Sequence, residues 1–165
     1  MNRSRRHALA VCFGAALAPS TWAIKPAAGT APAGPLVQVW KSPSCGCCKD
    51  WVTHMEAHGF TVKVNDSGNT AVRKRLKVAE KYGSCHTALV GGYAIEGHVP
   101  APDIQRLLKE RPAALGLAVP GMPIGSPGMD GPEYANQRDP YDVLLLRADG
   151  NAAVFASHNK PARKA

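Results

Sequence analysis

The chain has 165 residues, with 20 Lys+Arg against 12 Asp+Glu, 45% hydrophobic positions and 19% charged ones. That is enough for one domain with an extension, and too apolar for wholesale disorder. Past the N-terminus no uncharged apolar run reaches 18 residues, which excludes a polytopic membrane protein.

Residues 1–23 read as an export signal. Arg3, Arg5 and Arg6 form a basic head, an apolar run follows over 8–18, and Thr21-Trp22-Ala23 is a small-residue cleavage site. The run is short for a bilayer span, which weighs against an uncleaved anchor. Ser4-Arg5-Arg6 resembles a twin-arginine signal, but Ala8 stands where Phe is usual, so the twin-arginine and general routes both stay open. Val11 before Cys12 argues against a lipoprotein. Removing this segment takes three positive charges and one cysteine, leaving +5 and Cys45, Cys47, Cys48 and Cys85. The expected compartment is the periplasm, where clustered free thiols need a reason.

Residues 24–35 are a Pro/Ala/Gly-rich flexible leader. A strand is expected over 36–40. From Cys47 or Cys48 to His58 the apolar positions Cys48, Trp51, Val52 and Met55 recur at helical spacing, and Gly59 closes the helix. A second strand covers 60–64. A short helix over 70–77 opens a basic run of Arg73, Lys74, Arg75, Lys77 and Lys81, which reads as one solvated face. It has no interleaved aromatics and no nucleic-acid motif, so no nucleic-acid partner is expected. Strands over 87–90 and 93–96 flank the hairpin pair Gly91-Gly92, and a helix over 100–110 faces Ile104, Leu107 and Leu108 inward. The order β-α-β-α-β-β-α over 36–111 makes the fold class α/β and thioredoxin-like. Residues 112–158 form a C-terminal extension. Its Gly/Pro/Met-rich part, 116–140, is expected to be a loop without helix or strand, followed by a terminal hairpin of 141–146 and 152–155. Residues 159–165 are a basic tail.

The chemistry concentrates in Ser44-Cys45-Gly46-Cys47-Cys48, where a strand ends and a helix begins. Cys45 and Cys48 have the spacing of a thiol redox pair, and a helix N-terminus favours the thiolate. Disulfide exchange needs two sulfurs, and Cys47 is a third. Three sulfurs within four residues suit a soft metal ion. If strand 87–90 runs antiparallel to the first strand, Cys85, His86 and His98 gather at the same sheet edge. A thioredoxin-type oxidoreductase usually carries a proline where this chain has Ser84-Cys85-His86, which tilts the reading from exchange toward metal. Met122 and Met129 add thioethers, which favour copper over zinc. The candidate metal residues are Cys45, Cys47, Cys48, Cys85, His86, His98, Met122 and Met129, with Cys45 and Cys48 catalytic if the site is redox-active. His54 and His58 share a helix face about 10 Å or more from Cys47, given a rise of about 1.5 Å per residue, and are expected on an exposed surface. Glu96 and Asp103 are a possible carboxylate pair without an evident pocket.

Residues 40–48 (Trp-Lys-Ser-Pro-Ser-Cys-Gly-Cys-Cys), Trp51, His54-Met55, Gly59-Phe60, Ser84-Cys85-His86-Thr87-Ala88, Ile95-Glu96-Gly97-His98-Val99-Pro100-Ala101 and the Gly116–Met129 segment resemble the CopG-type copper-resistance family. This is the periplasmic metal-binding family, not the DNA-binding repressors that share the name. The resemblance spans about residues 36–157. It implies a thioredoxin-like fold with a C-terminal extension, copper at the C-x-C-C motif, and a role beside a periplasmic copper efflux system. Carried over, the metal site falls on Cys45, Cys47, Cys48 and Cys85, with His98, Met122 and Met129 as neighbours. Val78-Ala79 stands where many relatives carry Val-Pro. The expected protein is a monomer that binds copper ions, with no membrane contact after signal removal. The alternatives are a periplasmic thiol–disulfide oxidoreductase using Cys45 and Cys48, and a zinc-stabilised module.

Overall fold

The computed structural model describes residues 34–161, so the expected export signal, Cys12 and nearly all of the leader lie outside them. Strand β1 (Leu36–Lys41) alternates as a half-buried strand should, with Val37 and Val39 fully buried and Leu36 exposed. Ser42-Pro43-Ser44 breaks it, and helix α1 (Gly46–Ala57) follows with Cys45 as its N-cap. Its buried stripe is Cys48, Trp51 and Met55, three or four residues apart. Then come β2 (Thr61–Asn65), α2 (Thr70–Arg75), a single 3-10 turn at Glu80–Tyr82, β3 (His86–Val90), β4 (Tyr93–Glu96) and α3 (Ala101–Glu110).

The fold is mixed α/β, with three α-helices on a seven-stranded sheet ordered β2-β1-β3-β4-β5-β6-β7 among the described residues. Strand β1 pairs parallel with β2 and antiparallel with β3, and β3 pairs antiparallel with β4. Period two divides the sheet into two faces. Val37, Val39, Ala88, Ile95 and Leu117 pack with Trp51, Met55, Ile104 and Leu107 from α1 and α3. Ala94, Ala118 and Leu146 pack with Val78 in a smaller cluster on the other face.

Two expectations need correction. Residues 116–140 are not strandless: Gly116–Ala118 form β5, parallel to β4, and Pro132–Tyr134 form a 3-10 turn. Strand β5 joins β6 (Tyr141–Leu146) and β7 (Ala152–His158) to the sheet, which is therefore continuous. Three residues carry no local strand signal; the open edge of β4 supplies the partner that makes them one. The basic run is not one solvated face either. It extends beyond α2, Arg73 turns inward with its side chain 15% exposed, and Arg75 lies over the Trp40 ring. The departure at Ala79 is conservative, because its φ of −66° is already the angle proline adopts.

His54 is not simply on an exposed face. Its Nε2 accepts the backbone N–H of Ala101, the first residue of α3, at 3.1 Å. A neutral imidazole thus caps α3, where the preceding residue, Pro100, has no side-chain acceptor. Burial, and then the His58 charge, hold His54 below its ordinary value. Its contribution to stability is therefore complete above about pH 6.5 and is lost as pH falls through the lower folded-state value. Urea unfolding at pH 7.5 and pH 5 should show a smaller acid destabilisation in His54→Asn than in the parent chain, because the substitution removes one of the groups that folding keeps neutral.

Candidate metal centre

The register of three strands assembles the site. Lys41 at the end of β1 is opposite His86 at the start of β3, and Thr87 is opposite Glu96 at the end of β4. The bend into α1, the loop entering β3 and the exit of β4 therefore meet at one edge of the sheet. Cys47 Sγ lies 3.5 Å from Cys45 Sγ and 4.0 Å from Cys85 Sγ, across 38 residues of sequence. Cys45 and Cys48 are joined as a disulfide, with Cys48 Sγ 3.7 Å from the Cys85 carbonyl oxygen. All four sulfurs lie within 4.8 Å of one another. The vicinal Cys47–Cys48 pairing does not form. Cys47 and Cys85 are free thiols, and both are partly exposed.

Cys85 also belongs to a second cluster. Its sulfur is 3.0 Å from His98 Nε2 and 3.4 Å from His86 Nδ1, and the three donor atoms lie within 4.8 Å of one another. His98 Nδ1 is 2.8 Å from the Pro127 carbonyl, which can only accept, so Nδ1 carries the proton and Nε2 presents its lone pair to the sulfur. His86 is fully buried, with its ring 4.4 Å from that of Trp51, and its Nε2 has no hydrogen-bond partner. Burial holds both imidazoles below their ordinary values, which keeps them neutral and able to donate an electron pair. Burial, reinforced by Cys47, pushes the Cys85 thiol up to about 12. Unlike a sulfur at a helix N-terminus, Cys85 is a protonated thiol until something displaces the proton. Soft sulfurs beside neutral imidazoles form a donor set that fits copper(I) and also zinc.

The extension closes over this edge. Gly97 has φ +72°, and a side chain there would collide with Ser84 and the Val119 carbonyl. Gly128 has φ +82° and sits on the first turns of α1, where a Cβ would come 2.5 Å from the Cys47 carbonyl oxygen and 2.8 Å from the Trp51 nitrogen. The two thioethers part company. Met129 is buried and its sulfur accepts the Tyr134 hydroxyl at 3.4 Å, whereas Met122 is half exposed.

The carboxylates read as a possible pair have separate partners. Asp103 bonds His158 Nε2 at 2.7 Å, and Glu96 is buried against Arg73. Sequence reasoning set Glu96 beside Asp103 and Arg73 on a solvated face, and so missed that the two pair with each other at this edge. The available signal was an acidic residue ending the apolar Tyr93–Glu96 strand, with a basic residue directly after the buried Val72. Lys41 is likewise buried, 2.7 Å from Asp66.

The family described as "Protein of unknown function, DUF411" matches residues 82–129. No curated protein matches. Two solved structures do. One described as "Copper resistance protein copG- Form 2" is 44% identical with a TM-score of 0.70, and the match covers 76% of this chain and 98% of that one. "Copper resistance protein copG- Form 1" is 45% identical with a TM-score of 0.69, covering 74% and 96%.

Gly128→Ala should destabilise the chain by about 3 kcal/mol in urea unfolding, about 2 from overpacking against a helix backbone and about 1 from its left-handed backbone. Gly121→Ala is the control: it has a similar φ of +70° but open space around its Cβ, and should cost only the left-handed backbone penalty of about 1 kcal/mol. Equal losses would show that the extension does not press on α1.

Proposed function

The chain belongs to the CopG copper-resistance family, and from that premise we propose that it is a periplasmic copper-binding protein which holds copper(I) through Cys45, Cys47, Cys48 and Cys85. The observation that carries this reading is the placement of Cys85 Sγ 4.0 Å from Cys47, inside a four-sulfur cluster. Once the Cys45–Cys48 disulfide is reduced and copper displaces the Cys85 proton, four mutually adjacent thiolates bridge ions rather than each serving one, so the reduced chain holds more than one copper. His86 and His98, with Met122 and Met129 in the extension, supply further donors around the cluster. The buried, unpartnered Nε2 of His86 is a polar atom whose burial is uncompensated by hydrogen bonding.

The Cys45–Cys48 disulfide gives the site an electron reservoir. Closing it releases two electrons and two protons, and the electrons reduce two copper(II) to two copper(I). Opening it takes two electrons back from two copper(I), which become copper(II), and two protons from solvent. The chain in this reading interconverts the two states of copper beside an efflux system, as a monomer. We read the fold as thioredoxin-like, supported by parallel β1–β2, antiparallel β1–β3 and the β3–β4 hairpin. No helix among the described residues is long and apolar enough to cross a membrane.

The same disulfide favours a second reading, a thiol–disulfide oxidoreductase in which Cys45 and Cys48 exchange electrons with protein substrates. That protein would reduce insulin disulfides, keep the activity in Cys47→Ser and be indifferent to copper.

Anaerobic titration separates the two. Reduction should expose two additional thiols, and the reduced chain should take up more than one copper(I). Fewer than one copper per chain, with every thiol reduced, overturns the copper reading. Copper must also displace the proton of Cys85, whose thiol is pushed up to about 12. Uptake at neutral pH should therefore release protons, and affinity should rise from pH 6 to pH 8. A competition assay with a copper(I) chelator at the two pH values measures this.

A further inference from the structure

The loop that carries Cys85 is held by side chains rather than by the sheet. Pairing of β3 with β1 begins at His86, one residue too late to fix the cysteine. Ser84, immediately before Cys85, is gripped at both of its backbone groups. Its N–H donates to Glu96 Oε1 at 2.7 Å. Its carbonyl, part of the Ser84–Cys85 peptide, accepts from Arg73 Nη2 and from Asn69 Nδ2. On the other side of Cys85, the Thr87 hydroxyl donates to Glu96 Oε2 at 2.6 Å and accepts from Asn69 Nδ2 at 3.2 Å. Arg73 Nε completes the clamp on Glu96 Oε1 at 2.8 Å. One carboxylate with no solvent exposure thus connects the residues flanking Cys85 to α2.

A buried ion pair is a poor source of net stability, since apolar residues of similar volume often do as well. Its use here is geometric. A metal cluster tolerates little displacement of a donor, and among the described residues Cys85 is the one cluster thiol supplied from outside the Cys45–Cys48 bend.

We infer that Glu96, acting through Ser84, Thr87 and Arg73, is a positioning residue for copper that holds Cys85 Sγ against the sulfurs of α1. This rests on the copper reading above. It assigns a role to a residue that touches no metal donor, and it makes the α2 face of the sheet part of the site's construction.

The test is a double-mutant cycle in the full chain, read by anaerobic copper(I) affinity with far-UV circular dichroism as the fold control. Glu96→Gln should remain folded and lose about 10- to 100-fold in affinity, the usual effect of removing an outer partner of a ligand. In a Cys85→Ser background the same substitution should change affinity by no more than about twofold, because the sulfur it positions is gone. Arg73→Lys, which keeps the charge but loses the fork, should fall between parent and Glu96→Gln. If Glu96→Gln does not fold, Thr87→Val carries the same cycle, as it deletes the Oε2 partner and the Asn69 contact of the same hydroxyl but keeps the ion pair. The inference is overturned by a folded Glu96→Gln with parental affinity, or by equal losses in the parent and Cys85→Ser backgrounds, which is what a merely structural role produces. A parent chain that takes up no copper overturns the copper reading itself; a parent that binds copper while Glu96→Gln is unchanged overturns only the positioning role.

Discussion

Antiparallel pairing of β1 with β3 sets Lys41 opposite His86, and the candidate metal centre hangs from that register. Because side chains alternate along a strand, a slip of one residue would send His86 to the α2 face and Thr87 to the α1 face. The buried valines of β1 and the Ala88 and Val90 positions of β3 hold the register by packing. The same pairing carries Cys85, just ahead of His86, to the N-terminus of α1. The proximity of Cys47 and Cys85 thus follows from hydrophobic alternation some distance from either sulfur.

Around this edge the structure buries polar groups that a small domain ordinarily exposes. Lys41, His86, Thr87, Glu96 and His98 are all nearly or fully inaccessible. Most are satisfied: Lys41 by Asp66, Glu96 by Arg73, Ser84 and Thr87, and His98 by Pro127. These partners come from the exit of β2, α2, the loop before β3, β3 itself and the extension. The extension is therefore part of the site's architecture as well as a continuation of the sheet. Burial has an electrostatic result too. The imidazoles are kept neutral and the Cys85 thiol is kept protonated, so the donors are preorganised but Cys85 is not precharged.

Much of the fold was legible in the sequence, and the reasons are local. The helical spacing of Cys48, Trp51 and Met55, the Gly91-Gly92 turn and the apolar run ending at Leu146 ahead of the Asp149-Gly150 turn are short-range signals, and their elements stand where expected to within a residue or two. Strand β5 was not legible, because Gly116, Leu117 and Ala118 become a strand only through the free edge of β4. The inward turn of Arg73 was hidden for a similar reason. Its fate depends on Glu96, 23 residues away, and in the sequence it is one basic residue among neighbours that do point outward.

For the site, the sequence by itself determined the inventory: three sulfurs at a strand-to-helix bend, a fourth beside a histidine, and another histidine at a strand exit. Those are properties of adjacent residues and of chain order. The C-x-x-C spacing also marked Cys45 and Cys48 as the redox pair. Tertiary structure alone decided which ring nitrogen of His98 faces Cys85, that the two thioethers sit in different environments, and that a carboxylate and a guanidinium bracket the Cys85 loop. Each of these depends on distances between segments that the chain brings together only when its two hydrophobic faces are buried, and no local pattern encodes such a distance.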